Sequence, residues 1–178
     1  MKGIISMRFE TPEQVAAFFW NYPGLTHLEL KDCPASLTSL PELPVTLTRL
    51  FVISCPGLTS LLELPSMLTT LWVSKCPGLT RLCELPSSLT SLSISDCAGL
   101  ATVPSLPSSL IDLSIIKCPG LPNLPKLPDA LTELSVIECL GLKNLPELPN
   151  SLTKLWVFGC PLIGARGVRV GGLSIMFR

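Results

Sequence analysis

The chain has 178 residues, 47% of them hydrophobic, and its 13 basic and 13 acidic residues cancel to a formal net charge of zero. This length and apolar content suffice for one continuous hydrophobic core. The balanced charge argues against binding to nucleic acid or to an anionic membrane through bulk electrostatics. The sequence also lacks a run of about eighteen apolar residues, so it does not predict a membrane-spanning helix.

The first 24 residues predict an N-terminal cap made of a strand and a helix. Residues 6–10 alternate in polarity like a short strand. Thr11 then has the features of a helix N-cap, with Pro12 at the first helical position and Glu13 near the positive end of the helix dipole. Apolar residues follow up to Trp20, and the Tyr-Pro-Gly of residues 22–24 ends the helix.

A motif of about twenty-one residues then repeats from Leu25 to about Ile163 as L-T-x-L-x-V-x-x-C-P-G-L-T-x-L-P-E-L-P-x-S. A fixed period of this length with L-x-x-L-x-L-x-x-N/C-x-L is the signature of a leucine-rich repeat. We therefore predict one right-handed leucine-rich-repeat solenoid of the α/β horseshoe class, with seven repeats over residues 25–163. The cysteine of each repeat marks the period: Cys33, Cys55, Cys76, Cys97, Cys118, Cys139 and Cys160.

Within each repeat, the L-x-V or L-x-I segment alternates apolar and variable residues, as a strand with one buried face does. Strands at the same place in successive repeats must run parallel, and they are expected to form a concave sheet. The return path carries prolines two to four residues apart, which exclude an α-helix because they remove amide donors. The convex side should be extended, polyproline-like or a single 3₁₀ turn.

The repeat pattern ends after Pro161, and we predict a C-terminal cap over residues 164–178. The sequence Gly-Ala-Arg-Gly of residues 164–167 interrupts the pattern. Residues 173–177 are expected to add one last strand, which would cover the apolar end of the array.

The repeat cysteines occupy the inward position that other leucine-rich repeats fill with Asn. Parallel strands lie about 4.8 Å apart, within the Cα range of a disulfide, so neighbouring thiols could be paired or free. We expect free thiols, because a small apolar residue with a weak S–H donor suits a buried turn. Free thiols and the lack of signal-peptide features in residues 1–10 predict a reducing cytoplasmic location.

The stretch L-P-E-L-P-x-S-L-T-x-L-x-V, at Leu40–Val52, Leu85–Ile94 and Leu145–Val157, resembles the LPX-type leucine-rich-repeat effectors of Gram-negative bacterial pathogens. Cys-Pro-Gly-Leu replaces the Asn-x-Leu of that family and looks like the cysteine-containing repeats of plant immune receptors. Several such effectors carry a ubiquitin ligase domain with a Cys-x-Asp motif, which this sequence lacks. The resemblance implies a repeats-only member that binds a host protein after translocation by a specialised secretion system.

No enzymatic, cofactor or metal site is expected. His27 is the only histidine, so a Ser-His-Asp or Cys-His arrangement would have to use it, and cysteines one repeat apart form a line rather than a tetrahedron. A reactive thiol at Cys83, which replaces a proline on the return path, is a remote alternative, because Glu84 beside it gives its pKa no reason to fall. An acidic stripe on the convex side is interpreted as a solvated face; it comprises Glu42, Glu63, Glu84 and Glu147.

The concave face is the candidate binding surface, since its central column places large aromatic residues on either side of three serines. Exposed Trp and Phe on a rigid sheet are typical of interface anchors. The alternative is that these aromatics cover one another across adjacent strands. The residues predicted to contact a partner are Arg49, Phe51, Trp72, Ser93, Asp112, Ser114, Glu133, Ser135, Lys154, Trp156 and Phe158.

The sequence therefore predicts a monomeric, non-catalytic protein-binding module, consistent with a bacterial effector. The alternative is a structural or engineered repeat scaffold without a selected ligand. The near-identical repeats suit the scaffold, whereas the uneven aromatic column and the atypical ends favour a natural binder.

Overall fold

The computed structural model describes residues 4–7, 11–22, 24–61, 63–161 and 174–177. In these ranges nine strands form a single parallel sheet, in which spatial order and sequence order are the same. The elements are β1 (Ile4–Met7), α1 (Pro12–Asn21), β2 (His27–Lys31), β3 (Arg49–Ile53), β4 (Thr70–Ser74), β5 (Ser91–Ser95), β6 (Asp112–Ile116), β7 (Glu133–Ile137), β8 (Lys154–Phe158) and β9 (Ser174–Phe177).

Each residue of a strand pairs with the residue at the same motif position in the next repeat. Leu50 of β3, for example, pairs with Leu28 on one side and with Leu71 on the other. The second and fourth positions of β2 to β8 are all buried, so the apolar side chains stack into one core along the array. The predicted leucine-rich-repeat solenoid is confirmed.

The return path of each repeat is extended and is tightened by single turns rather than by helices. The Leu58 amide donates to the Cys55 carbonyl at 3.2 Å, and the Leu47 amide donates to the Pro44 carbonyl at 3.0 Å. Threonine hydroxyls tie neighbouring repeats together, as where Thr69 Oγ1 donates to the Thr48 carbonyl at 3.0 Å. Leu43 and Leu127, each of which lies between two prolines of this path, are buried, so the return path covers the core.

Each strand from β2 to β8 leaves the sheet through one residue in the left-handed backbone region. Its φ lies between 52° and 63° in all seven repeats. In the first six of these residues the amide donates to the last carbonyl of the next strand, as in the 3.0 Å bond from Lys75 to Ser95. The turn therefore adds a hydrogen bond to the ladder while it directs the chain toward the buried cysteine. The residues are Asp32, Ser54, Lys75, Asp96, Lys117, Glu138 and Gly159.

The N-terminal elements continue the sheet and lie against its core. Helix α1 begins at Pro12, and Thr11 Oγ1 accepts a hydrogen bond from the Gln14 amide at 3.4 Å, as expected of an N-cap. Phe18 packs against the core, with its ring centroid 4.7 Å from that of Tyr22. The assignment of residues 1–24 as a cap stays a prediction.

The first strand is β1, at residues 4–7, rather than the predicted residues 6–10, of which 8–10 lie outside the described residues. In this register Ile5 and Met7 pair with Leu28 and Leu30 of β2. At the other end, β9 pairs in parallel with β8 where a last strand was expected. The cap assigned to residues 164–178 otherwise falls mostly on residues outside the described ranges and stays a prediction.

The prediction of free thiols throughout the cysteine ladder is wrong at its first two positions. Cys33 and Cys55 form a disulfide, and their Cα atoms are 4.6 Å apart. Cys76, Cys97, Cys118, Cys139 and Cys160 are buried free thiols, as expected.

Candidate partner-binding face

The outward positions of β2 to β8 form three columns on the concave side, and the strand register aligns them residue by residue. The charged column, at the first strand position, contains His27, Arg49, Thr70, Ser91, Asp112, Glu133 and Lys154. The central column contains Glu29, Phe51, Trp72, Ser93, Ser114, Ser135 and Trp156. The apolar column, at the fifth position, contains Lys31, Ile53, Ser74, Ser95, Ile116, Ile137 and Phe158.

The central column offers aromatic surface on both sides of a serine floor, defined as Ser93, Ser114 and Ser135. Trp72 retains 45% of its surface exposed, whereas Trp156 is half-buried. Phe51 and Trp72 contact each other, with ring centroids 5.9 Å apart and planes tilted by 49°. Mutual coverage of aromatics therefore applies to this pair in part, but it leaves nearly half of Trp72 open to solvent.

The charged column holds two adjacent carboxylates, and only one of them has a cationic hydrogen-bond partner. Glu133 accepts a hydrogen bond from Lys154 Nζ at 2.5 Å. Asp112 pairs laterally with Glu133 and accepts a hydrogen bond from the neutral Ser91 hydroxyl at 3.2 Å. Burial raises the pKa of Asp112 above its ordinary value, and the charge of Glu133 raises it further, against the opposing effects of Ser91 and Lys154.

Arg49 lies apart from this pair. It is exposed on β3 beside Thr70, so it belongs to the opposite end of the charged column.

The apolar column continues the concave face with three neighbouring side chains at its C-terminal end. Ile116 and Ile137 are half-buried, and Phe158 is 42% exposed. The predicted contact set included Phe158 but omitted both isoleucines. Their signal was present in the sequence, since an apolar residue at an outward strand position has no core to fill.

His27 and Cys83, the residues of the alternative chemistries, lie in separate places on the solenoid. His27 lies on β2 with Nδ1 2.9 Å from the Thr26 hydroxyl. Burial raises the pKa of the Cys83 thiol, and the charges of Glu63 and Glu84 raise it further. Among the described residues no cluster of three His, Cys, Asp or Glu side chains could hold a metal ion.

The free ladder thiols donate hydrogen bonds to backbone carbonyls. Cys97 Sγ donates to the Ser95 carbonyl at 3.3 Å and Cys118 Sγ to the Ile116 carbonyl at 3.4 Å, two residues earlier in each case. Burial raises the pKa of Cys118, and it raises that of Cys139 to about 12. Such thiols are packing groups with a weak donor.

The convex acidic side chains are exposed one per repeat, with Ser105 and Lys126 interrupting the stripe, as a solvated face requires. In the part of the chain that the structure describes, no helix has the length and apolar character needed to cross a membrane.

Comparison with protein-family models and with curated proteins finds no match. Among solved structures, YopM, a leucine-rich effector protein from Yersinia pestis, is 32% identical over 78% of this chain, with a TM-score of 0.63. The chain spans 38% of the length of that protein. The leucine-rich-repeat domain of the type III effector XopL matches over 98% of this chain and 75% of its own, at 19% identity and a TM-score of 0.59, which shows the shared fold.

Proposed function

We propose that this chain, a leucine-rich-repeat solenoid of the kind found in effectors of Gram-negative pathogens, is a non-catalytic module that binds a partner protein through its concave face. The observation that carries the proposal is the exposure of Trp72 and Phe158 on outward strand positions, where neither fills the core. Large aromatics on a rigid surface are the residues that most often anchor protein interfaces.

The effector role is part of the same proposal. The chain spans 38% of the length of the Yersinia protein, so the activities and partners of that protein are not transferred to it. What supports translocation into a host cell is the similarity to repeats of type III and related effectors.

A scaffold without a selected ligand is the second candidate, and the contact between Phe51 and Trp72 favours it. If every concave aromatic served to cover its neighbour, the face would need no partner. Trp156 and Phe158 discriminate between the two candidates, because they lie at the far end of the face from that pair.

Affinity capture from host and bacterial lysates tests the binding proposal, with the wild-type chain compared with Trp72→Ala and Trp156→Ala. Each substitution should weaken capture of a specific protein by about 2 kcal/mol or more, since aromatic anchors dominate such interfaces. Glu63→Ala, on the convex side, is the matched control and should leave capture unchanged.

Thermal melts separate lost binding from lost fold. Trp72→Ala removes a ring contact worth about 0.5–1.5 kcal/mol, so a modest decrease in stability is expected there and a smaller one for Trp156→Ala. If both variants keep their captured proteins, or if capture fails only because they unfold, the concave-face proposal is wrong.

A further inference from the structure

We propose that the concave face takes a basic amphipathic α-helix, aligned with the strands between Trp72 and Trp156, with its N-terminal end over Asp112 and its apolar residues against Ile116 and Ile137. This inference rests on the proposed function and specifies the chemistry of the partner.

The width of the serine floor fits a helix. Trp72 and Trp156 are four strands apart in the register, a separation of about 19 Å at about 4.8 Å per strand. A helix with its side chains is about 10–12 Å across, which leaves room for one tryptophan ring on each side. The residues between them are the three small serines, so a helix can approach the sheet closely there.

The concave face is charged at the start of the strands and apolar at their end. On β6 the charged Asp112 and the apolar Ile116 are four residues apart, about 13 Å along the strand. At 1.5 Å per residue this distance corresponds to about eight or nine helical residues. Positions separated by seven or eight residues lie on the same face of a helix. A helix with a basic residue in its first turn and an apolar residue two turns later therefore matches both columns.

The charge of the face determines which charge the partner should carry and how its helix should be oriented. Glu133 is neutralised by Lys154, whereas the hydrogen-bond partner of Asp112 is the uncharged Ser91. A Lys or Arg of the partner would give Asp112 a counter-charge. The N-terminus of a helix also carries a partial positive charge, so the favourable direction places that end over Asp112.

A second copy of this chain is a poor occupant. Its helix α1 carries Glu13 in the first turn and no basic residue in the last turn, so docking α1 in this direction would bring a carboxylate toward Asp112. The partner is thus expected to be a different protein segment.

The test uses a displayed library of randomised helical peptides about 18 residues long, a length of about 27 Å, selected on the full chain. Enriched peptides should carry Lys or Arg in the first turn and an apolar residue seven or eight positions later. Asp112→Asn should weaken the enriched peptides by about fivefold. Asp112→Lys should weaken them by about tenfold or more, because it adds repulsion. Glu147→Lys, on the convex side, is the charge-matched control and should have no effect.

Asp112→Asn keeps the size and the acceptor of the side chain, so it tests the charge even if Asp112→Lys lowers stability. Failure to enrich helical peptides, or enrichment of peptides that lack basic residues and survive both Asp112 variants, would overturn the proposal. Self-association that Asp112→Lys abolishes, in place of peptide binding, would overturn it as well. If binding depends on Trp156 but not on Asp112, only this inference fails; if it depends on neither, the concave-face function fails too.

Discussion

Each ladder cysteine with a free thiol has two structural roles. It fills a small apolar space in the core, and its S–H group donates to the last carbonyl of its own strand, as Cys97 does to Ser95. Asn at such a place would bring a larger demand for hydrogen bonds into a buried site. Burial and a weak donor could be predicted from the sequence, but the bond between Cys33 and Cys55 could not, because every ladder cysteine occupies the same position of the repeat motif.

Thiol counting tests this description. Denatured protein purified without reductant should show six reactive thiols, and eight after reduction, since two of the eight cysteines are paired. In the native state the ladder thiols should react slowly. With a pKa of about 12 for Cys139, only about one thiol in ten thousand is ionised at about pH 8.

The native reaction rate at Cys139 should therefore rise about tenfold per pH unit below that pKa, as long as the fold persists. Cys83→Ser provides the control for the half-buried thiol on the return path. Eight free thiols before reduction would contradict the Cys33–Cys55 pairing, and rapid native labelling of Cys139 would contradict its burial.

At the scale of the strand, the residue in the left-handed backbone region that follows each strand lowers the stability of the fold. An L-residue in this conformation is disfavoured by about 1–2 kcal/mol, and Lys75 adopts it with φ 54°. Glycine removes that cost but loses about 0.5–1 kcal/mol of backbone entropy. Lys75→Gly should therefore raise the free energy of unfolding by up to about 1 kcal/mol, as measured by urea denaturation.

Gly159→Ala is the reciprocal variant. Gly159 has φ 63°, and an added Cβ would lie 3.0 Å from Glu138 Cγ, so this change should destabilise the protein by about 1–2 kcal/mol. A loss of stability in Lys75→Gly, or no loss in Gly159→Ala, would show that the turn is not strained.

The strands could be predicted from the sequence because leucine and valine alternate with variable residues at a fixed period. The left-handed turn could not, since Lys75, Lys117 and Glu138 give no sign of it where glycine would have. The start of β1 differs from the prediction because residues 6–10 alternate in polarity whereas the Ile-Ile-Ser-Met of residues 4–7 does not, and the pairing with β2 is not visible in the sequence. At the site, the columns followed from the repeat, whereas the contact of Phe51 with Trp72 depends on side-chain orientation.

At the scale of the whole molecule, stability is shared between neighbours, since every strand pairs only with the strands before and after it. The end of such a stack exposes apolar surface unless another element covers it. Phe18 of α1 packs against the core at that end. Deleting residues 1–22 should therefore give an aggregating or partly melted array, as judged by size-exclusion chromatography and circular dichroism.

Phe18→Ala is the milder companion of this truncation. It should lower stability while the array stays soluble, because the rest of α1 and β1 remain. A soluble truncated product that unfolds with unchanged cooperativity would show that residues 1–22 are an accessory rather than a cap.

The strict parallel register also fixes the distances between side chains on different repeats. Because each repeat adds one strand to the sheet, the gap between Trp72 and Trp156 can change only in steps of one strand spacing, about 4.8 Å. Losing one serine-bearing repeat would narrow the gap from about 19 Å to about 14 Å, and gaining one would widen it to about 24 Å. For the proposed helical ligand, duplication or deletion of a repeat should therefore change the accepted diameter in discrete steps, whereas point substitution should change only the chemistry of the contact.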